Sequence, residues 1–204
     1  MGELTIRHES EDDFFESECV IRLAFWNVFR PGCCEHYCLH RLREDPDYLP
    51  ALSYVAEKNG YIEGALYAFK AYLEIGGLAH EVLSFGPLGI DPSFQRQGLG
   101  TLLVQKLIEE AAAQGSEAIV VVGWPDYYSR FGFKPGSEFG LTMGEGAANP
   151  ALQALEIKKG ALAGYEGAAL REPAAMEVPD PYDLHMFDRN FPHLDKKDPS
   201  EESD

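Results

Sequence analysis

The residues Gln95-Arg96-Gln97-Gly98-Leu99-Gly100 have the composition of a loop that binds a phosphate group. They stand between a predicted strand and a predicted helix. The first turn of a helix leaves four backbone N–H groups without intrahelical partners, and the helix dipole adds partial positive charge there. Glycines let a phosphate approach the main chain and permit positive φ. The loop is therefore predicted to bind a pyrophosphate, and a tight strand-to-helix turn without a ligand is the alternative.

Two common nucleotide-binding motifs do not fit this loop. A Walker A motif needs GxxxxGK[ST], which the sequence lacks. A dinucleotide-binding motif needs a third glycine where Leu103 stands, near the start of a parallel βαβ unit, whereas hairpins precede this loop. A third glycine-loop pattern, [QR]-x-x-G-x-[GA], matches the loop at every position from Gln95 to Gly100.

A second segment, Tyr127-Tyr128-Ser129-Arg130-Phe131-Gly132-Phe133, follows one helix and one buried strand later. Its two tyrosines carry phenol groups that can donate protons. For Tyr128 a role in the core or on a helix surface is the alternative to a catalytic role, and Tyr127 is interpreted as packing.

The elements that position these residues follow from hydrophobic periodicity and turn residues. The predicted order is β-α-α-β-β-β-α-β-α-β-β, a mixed α/β single domain. The predicted strands are 4–8, 52–58, 61–73, 82–90, 118–122, 139–143 and 152–157. The predicted helices are 14–29, 35–44, one from Leu99 to near Gly115, and 126–131. Asn59-Gly60 predicts a hairpin turn, Gly86-Pro87 interrupts its strand, and the sequence beyond Arg171 predicts no element.

Composition narrows the function classes. The 204 residues suit one domain, and a net charge of −17 disfavours nucleic acid while attracting cationic partners. No segment approaches the run of about 18 apolar residues that crosses a membrane. The N-terminus shows no secretion signal, so no membrane contact and a cytoplasmic location are expected.

The four cysteines lie in the first fifth of the chain and are expected to be reduced. Three of them form a cluster with two histidines: Cys33, Cys34, His36, Cys38 and His40. A zinc site needs ligands on converging faces. Structural packing is the preferred interpretation, lining of a substrate pocket comes second, and no metal is expected.

The loop, the YxxxGF segment and their spacing resemble the GNAT superfamily of N-acetyltransferases, and most closely its YhbS-like branch. The later Ala154-Leu155-Glu156-Ile157 and Gly160-Ala161-Leu162 are also similar to that branch. The resemblance implies a mostly antiparallel central sheet, splayed between its fourth and fifth strands and flanked by helices. The resemblance covers roughly residues 4–171. Residues 1–171 are therefore expected to form the GNAT domain and residues 172–204 a C-terminal extension with an acidic, flexible tail.

The resemblance also implies site residues for acetyl-CoA, the expected co-substrate. Main-chain groups of Leu88, Gly89 and Ile90 would bind the pantetheine arm and the acetyl carbonyl. The loop would hold the pyrophosphate through Gln95, Arg96, Gln97, Gly98, Leu99, Gly100 and Thr101. Tyr128 would protonate the leaving thiolate, because a phenol pKa near 10 and a thiol pKa near 8.5 are nearly matched. Ser84 stands where some relatives carry a carboxylate, and no general base is identified.

This sequence departs from the family pattern at Gly123-Trp124-Pro125. Many family members carry an asparagine in this region that orients pantetheine. The implied function is acetyl transfer to an amine of a small molecule or protein, with a possible homodimer. A non-catalytic acyl-CoA-binding module is the alternative. It would keep the loop and would not need Tyr128.

Overall fold

A computed structural model describes residues 3–144 and 148–202. The helices are α1 Phe14–Phe25, α2 Glu35–Leu42, α3 Leu99–Ala113, α4 Pro125–Tyr128 and α5 Pro181–Asp188. The strands are β1 Leu4–His8, β2 Tyr54–Lys58, β3 Tyr61–Ile75, β4 Leu78–Ile90, β5 Ala118–Val122, β6 Lys134–Pro135, β7 Thr142–Met143, β8 Leu152–Glu156 and β9 Ala169–Arg171. Within these residues, no helix is long and apolar enough to cross a membrane.

The predicted mixed α/β fold with a mostly antiparallel sheet is confirmed. The strands follow the order β1-β2-β3-β4-β5-β8-β6, while β9 pairs with β3 and β7. Neighbours β4 and β5 are parallel, with Leu83 opposite Ile119, and β8 runs antiparallel to β5. Asn59 and Gly60 form the β2–β3 turn at φ 55° and 80°. Positive φ at both turn residues is what a two-residue hairpin of type I′ requires.

Several predicted boundaries are wrong. The first helix ends at Phe25 rather than Phe29, because Trp26 has extended backbone and Asn27 takes φ 59°. The predicted strand 139–143 is reduced to Thr142–Met143, since a 3-10 turn occupies Gly136–Phe139 and Gly140 has φ 70°. Strands β6 and β9 and helix α5 were not predicted. Strand β4 runs through Gly86-Pro87 to Ile90, the end that the sequence predicts, and starts at Leu78 rather than Val82.

The chain divides into two compact units. The first contains the residues up to Tyr67, Pro87–Val104 and the residues from Ala174. It holds α1, α2, α5 and the start of α3, and its core includes Ile21, Leu39, Leu42, Leu66 and Leu103, all fully buried. The second contains Ala68–Gly86 and Gln105–Pro173. Phe69, Leu107, Ile119, Ala154 and Leu152 are fully buried in its core.

A buried histidine of the first unit predicts how stability depends on pH. His36 has no exposed surface, and its Nε2 lies 3.1 Å from Asp188 Oδ1. Burial lowers the pKa of His36 from 6.5 to about 4, although Asp188 opposes that shift. Between these values the unfolded chain binds a proton that the folded chain does not, so stability is complete above pH 6.5 and falls toward pH 4. The expected loss is about 3 kcal/mol.

Urea unfolding at a series of pH values measures this loss. His36→Gln is expected to flatten the dependence between pH 6.5 and 4, whereas His193→Gln, whose side chain is exposed, is the control and is expected to keep it. If the free energy of unfolding falls as steeply below pH 6.5 in His36→Gln as in the wild type, another group is responsible for the loss.

Candidate functional site

The predicted phosphate loop begins with a capped turn after β4. Asp91 accepts a hydrogen bond from Ser93 N at 2.8 Å, and Phe94 N donates to Asp91 O at 2.8 Å. The Gln95 side chain then donates to Ile90 O at 3.0 Å, which ties the loop back to the end of the strand. The path of the loop is thus fixed by its own polar groups before the helix starts. Gln95 therefore has a structural contact in addition to its predicted binding role.

Two residues of the loop have left-handed backbone. Arg96 has φ 61° and Gly98 has φ 91°. A side chain in this region costs about 1–2 kcal/mol, so Arg96 is strained while glycine satisfies the second position. A Cβ placed on Gly98 would have no atom within 4 Å. Gly98 is therefore needed for its backbone conformation and for an open approach, and not to relieve crowding.

Helix α3 starts directly from this turn. At the start of the helix, Leu102 N donates a hydrogen bond to Gly98 O of the loop at 3.0 Å. The N–H groups of the preceding residues form the orphan set at the helix start, where anions are stabilised. Leu99 anchors the turn in the core, while Gln95 to Gly98 are exposed. The unpartnered main-chain N–H groups at this helix start, together with the Arg96 side chain, could supply positive charge to a diphosphate.

The end of β4 carries the other residues that are predicted to bind acetyl-CoA, Leu88, Gly89 and Ile90. Gly89 is crowded by helix α1, since a Cβ there would lie 2.8 Å from Ile21 Cδ1 and 3.0 Å from Ala24 Cβ. Its main chain can lie this close to α1 only because it has no side chain. The residues predicted to bind acetyl-CoA, Leu88 to Ile90 and Gln95 to Thr101, thus lie on one strand–loop–helix segment of the first unit.

Tyr128 belongs to the second unit, at the end of α4. Its side chain packs edge-on against Phe85, with ring centres 5.7 Å apart, and against Phe133 at 5.6 Å. A Cβ on Gly123 would lie 2.3 Å from Tyr128 Cε2. Gly123 therefore makes room for the phenol ring, a role for which the sequence gives no local signal. Only the close approach in the structure identifies it.

Burial raises the pKa of Tyr128 above its ordinary value, and the neighbouring Tyr127 adds to that shift. The phenol consequently stays protonated at neutral pH, as a proton donor must. The same shift widens the pKa gap between this phenol and a thiol, which the sequence predicted to be small. Within the described residues, Tyr128 OH forms no hydrogen bond.

Most of the remaining candidates are buried, whereas the His40 side chain is about half exposed. Ser84 is fully buried and its Oγ has no hydrogen-bond partner among the described residues. In the cysteine–histidine cluster, Cys33 Sγ lies 3.4 Å from His36 Nδ1, and burial raises the pKa of that thiol. In residues 3–144 and 148–202, no group of three or more His, Cys, Asp or Glu side chains is placed to hold a metal ion.

Comparison with known sequences identifies relatives of this arrangement. Residues 12–133 match the family described as Acetyltransferase (GNAT) family. The uncharacterized N-acetyltransferase YjhQ of Escherichia coli K12 is 32% identical over 96 residues, which are 46% of this chain and 52% of YjhQ. The match thus spans about half the length of that relative. The uncharacterized N-acetyltransferase YhbS of the same strain is 28% identical over 129 residues, covering 63% of this chain and 75% of YhbS.

Solved structures share the fold. E. coli YhbS in complex with CoA is 26% identical, with a TM-score of 0.70 over 80% of this chain and 87% of that one. A GNAT family acetyltransferase from Brucella melitensis in complex with acetyl-CoA is 23% identical, with a TM-score of 0.67 over 87% of this chain and 100% of that one. Since the family match includes more than half of the residues, the chain belongs to the acetyltransferase (GNAT) family.

Proposed function

We propose that this protein is an acetyl-CoA-dependent N-acetyltransferase that acetylates an amine. The observation that carries the proposal is the exposed left-handed turn at Gly98, which opens the N-terminus of α3 to an anion. The family match supports it, as do the two related folds that bind CoA or acetyl-CoA. The amine acceptor, a homodimer and a cytoplasmic location are proposals from the sequence.

The proposed reaction is direct transfer. The amine nitrogen attacks the acetyl carbon, an oxyanion develops, and the carbon–sulfur bond breaks as the thiolate leaves. Main-chain N–H groups of Leu88 to Ile90 are proposed to stabilise the oxyanion, a contribution of about 3–4 kcal/mol for one such donor. Tyr128 OH is proposed to give its proton to the thiolate, and the amine proton passes to water or to a base that the residues do not define.

A pair of glycines at the two ends of α3 gives a controlled test of the donor site. Gly98 and Gly115 have φ 91° and 88°, and neither would have an atom within 4 Å of an added Cβ. Substitution by alanine is therefore expected to destabilise the fold by the same amount at both positions, about 1–2 kcal/mol, through backbone strain. Only Gly98→Ala is expected to weaken acetyl-CoA binding, by about tenfold, because only that turn contacts the pyrophosphate in the proposal.

Calorimetric titration with acetyl-CoA measures both variants. Equal losses of affinity in Gly98→Ala and Gly115→Ala would contradict a binding role for the loop. In the wild type, a hundredfold excess of acetyl-CoA over Kd is expected to stabilise the fold by about 2.7 kcal/mol. An unchanged melting curve in millimolar acetyl-CoA would refute donor binding. Binding without thiol release across a panel of amines would favour a non-catalytic acyl-CoA-binding module instead.

A further inference from the structure

A cavity of about 490 Å³ lies between helices α2 and α5 of the first unit. Its lining residues follow the spacing i, i+3, i+4 and i+7 along each of the two segments, so each segment contributes one helical face. They are Tyr37, His40, Arg41 and Glu44 from α2 and its C-terminal end, and Asp183, Met186, Phe187 and Asn190 from α5 and its C-terminal end. Small-molecule sites have volumes of about 300–1,000 Å³, so the cavity is large enough for a compact organic ligand.

Helix α5, one wall of the cavity, is fixed at both of its ends. At its start, the Asp180 side chain accepts a hydrogen bond from Tyr182 N at 2.8 Å. At its end, Asp188 Oδ1 accepts a hydrogen bond from Arg22 Nε of α1 at 3.1 Å and lies 3.1 Å from His36 Nε2 of α2. A ligand therefore meets a preformed wall, which lowers the entropic cost of binding.

The cavity has an apolar and aromatic part. The Phe187 ring stacks on Tyr37, with ring centres 4.7 Å apart, and its centre lies 4.6 Å from that of His40. Met186 precedes Phe187 and is 41% exposed. Thioether and aromatic side chains pack well against apolar groups, and aromatic rings also attract organic cations.

The charged groups of the cavity favour a cation. Glu44 and Asp183 are exposed, and within the described residues neither carboxylate has a hydrogen bond or an ion pair. Arg41 is already engaged, since its Nη2 donates to Ala175 O at 2.7 Å and to Glu177 O, and its Nε is buried. The two carboxylates are therefore free to pair with a ligand, whereas the guanidinium is held by backbone carbonyl groups.

The lining residues are separate from those already assigned to acetyl transfer. They include neither Tyr128 nor any residue predicted to bind acetyl-CoA, and α5 lies outside residues 12–133, which match the family. We propose that the cavity binds an organic cation, a tertiary or quaternary ammonium with an apolar group, and that this ligand is not the acceptor. Glu44 and Asp183 pair with the ammonium, and Met186 and Phe187 contact the apolar group.

Calorimetric titration with benzyltrimethylammonium tests the site. Its nitrogen carries four carbon atoms and no lone pair, so it cannot accept an acetyl group, and binding does not depend on the proposed function. The cation is expected to bind at least about tenfold more tightly than tetramethylammonium, which lacks the ring, and than benzyl alcohol, which lacks the charge. Equal affinity for either reference compound, or no binding at about 10 mM, would overturn the proposal.

A matched pair of variants separates this site from general attraction to an acidic protein. Asp183→Asn is expected to weaken binding of benzyltrimethylammonium by about tenfold. Asp126→Asn is the control and is expected to have no effect, because Asp126 does not line the cavity although it too lies in the first turn of a helix that begins with proline. Both substitutions change the net charge by one, so equal losses of affinity would overturn the assignment.

The methyl group of Met186 reports where the cation binds. In a spectrum of protein labelled with ¹³C-methyl methionine, its signal, assigned through Met186→Ser, is expected to shift during the titration, while that of Met143 stays in place. An unchanged Met186 signal would overturn the location. In an acetylation assay, inhibition by benzyltrimethylammonium that is competitive with the amine would overturn the separation from the acceptor. If no amine is acetylated, the proposed function fails, and the titrations still decide whether the cavity binds a cation.

Discussion

Replacing Arg43 by alanine is expected to lower the free energy of unfolding by about 3–5 kcal/mol, because it leaves two buried carboxylates without their counter-ion. The Arg43 side chain is 5% exposed, against 2% for Glu9 and 7% for Glu18. Its guanidinium donates to Glu9 Oε2 at 3.0 Å, to Glu9 Oε1 at 2.8 Å and to Glu18 Oε1 at 2.5 Å. Ser17 Oγ accepts a further bond at 2.8 Å.

This network links four secondary-structure elements of the first unit. Glu9 follows β1, Glu18 lies on α1 and Arg43 follows α2, while Tyr67 OH donates to Glu9 from β3. All three nitrogens of the guanidinium donate a hydrogen bond within this network. Buried charges are tolerated when they are paired in this way. Removal of the arginine therefore affects several elements together, and the loss is expected to appear in the global unfolding transition.

The matched control is Arg171→Ala. Arg171 Nε also donates to a carboxylate, Glu74 Oε1 at 2.5 Å, yet both side chains are about half exposed, at 49% and 47%. Exposed pairs contribute about 0–1 kcal/mol. Urea unfolding of both variants at pH 7 measures the difference. A loss below about 1 kcal/mol in Arg43→Ala would show that water reaches the carboxylates once the arginine is gone.

The parts of the fold that the sequence predicted correctly are those with local physical signals. Asn59-Gly60 has the residues that a type I′ turn requires, and β5 is a continuous apolar run, as a strand covered on both faces must be. Helix α5 also has a local signal at its N-terminus. Asp180 accepts a bond from Tyr182 N at 2.8 Å, and Pro181 occupies the first helical position. It could therefore have been predicted.

The buried network around Arg43 could not have been predicted in this way. Glu9, Glu18 and Arg43 resemble surface residues in the sequence, and their burial depends on contacts between segments 25 to 34 residues apart. Gly123 likewise gives no local signal, since its requirement comes from the ring of Tyr128. The predicted phosphate loop was recognisable because its residues form one continuous segment.

Replacing Tyr128 by phenylalanine is expected to lower kcat for acetyl transfer by about 100-fold, the lower end of the range for general acid catalysis. The lower end is expected because burial raises the phenol pKa, which makes proton transfer to a thiolate less favourable. Phenylalanine preserves the ring contacts with Phe85, Phe133 and Gly123 and removes only the hydroxyl. KM for acetyl-CoA and the melting temperature are therefore expected to stay close to the wild-type values.

The pH dependence separates a proton donor from a packing residue. If Tyr128 is the acid, the raised pKa keeps it protonated throughout the neutral range, so the wild-type kcat is expected to show no alkaline decline below pH 10, and Tyr128→Phe to lower kcat equally at every pH there. Tyr127→Phe is the matched control, because Tyr127 precedes Tyr128 in α4 and its ring lies 5.1 Å away. Wild-type kcat in Tyr128→Phe, or an equal loss in both variants, would exclude the phenol as the donor. In either case the thiolate would leave unprotonated or take its proton from water, and the ring contacts with Phe85 and Phe133 would account for Tyr128 by packing alone.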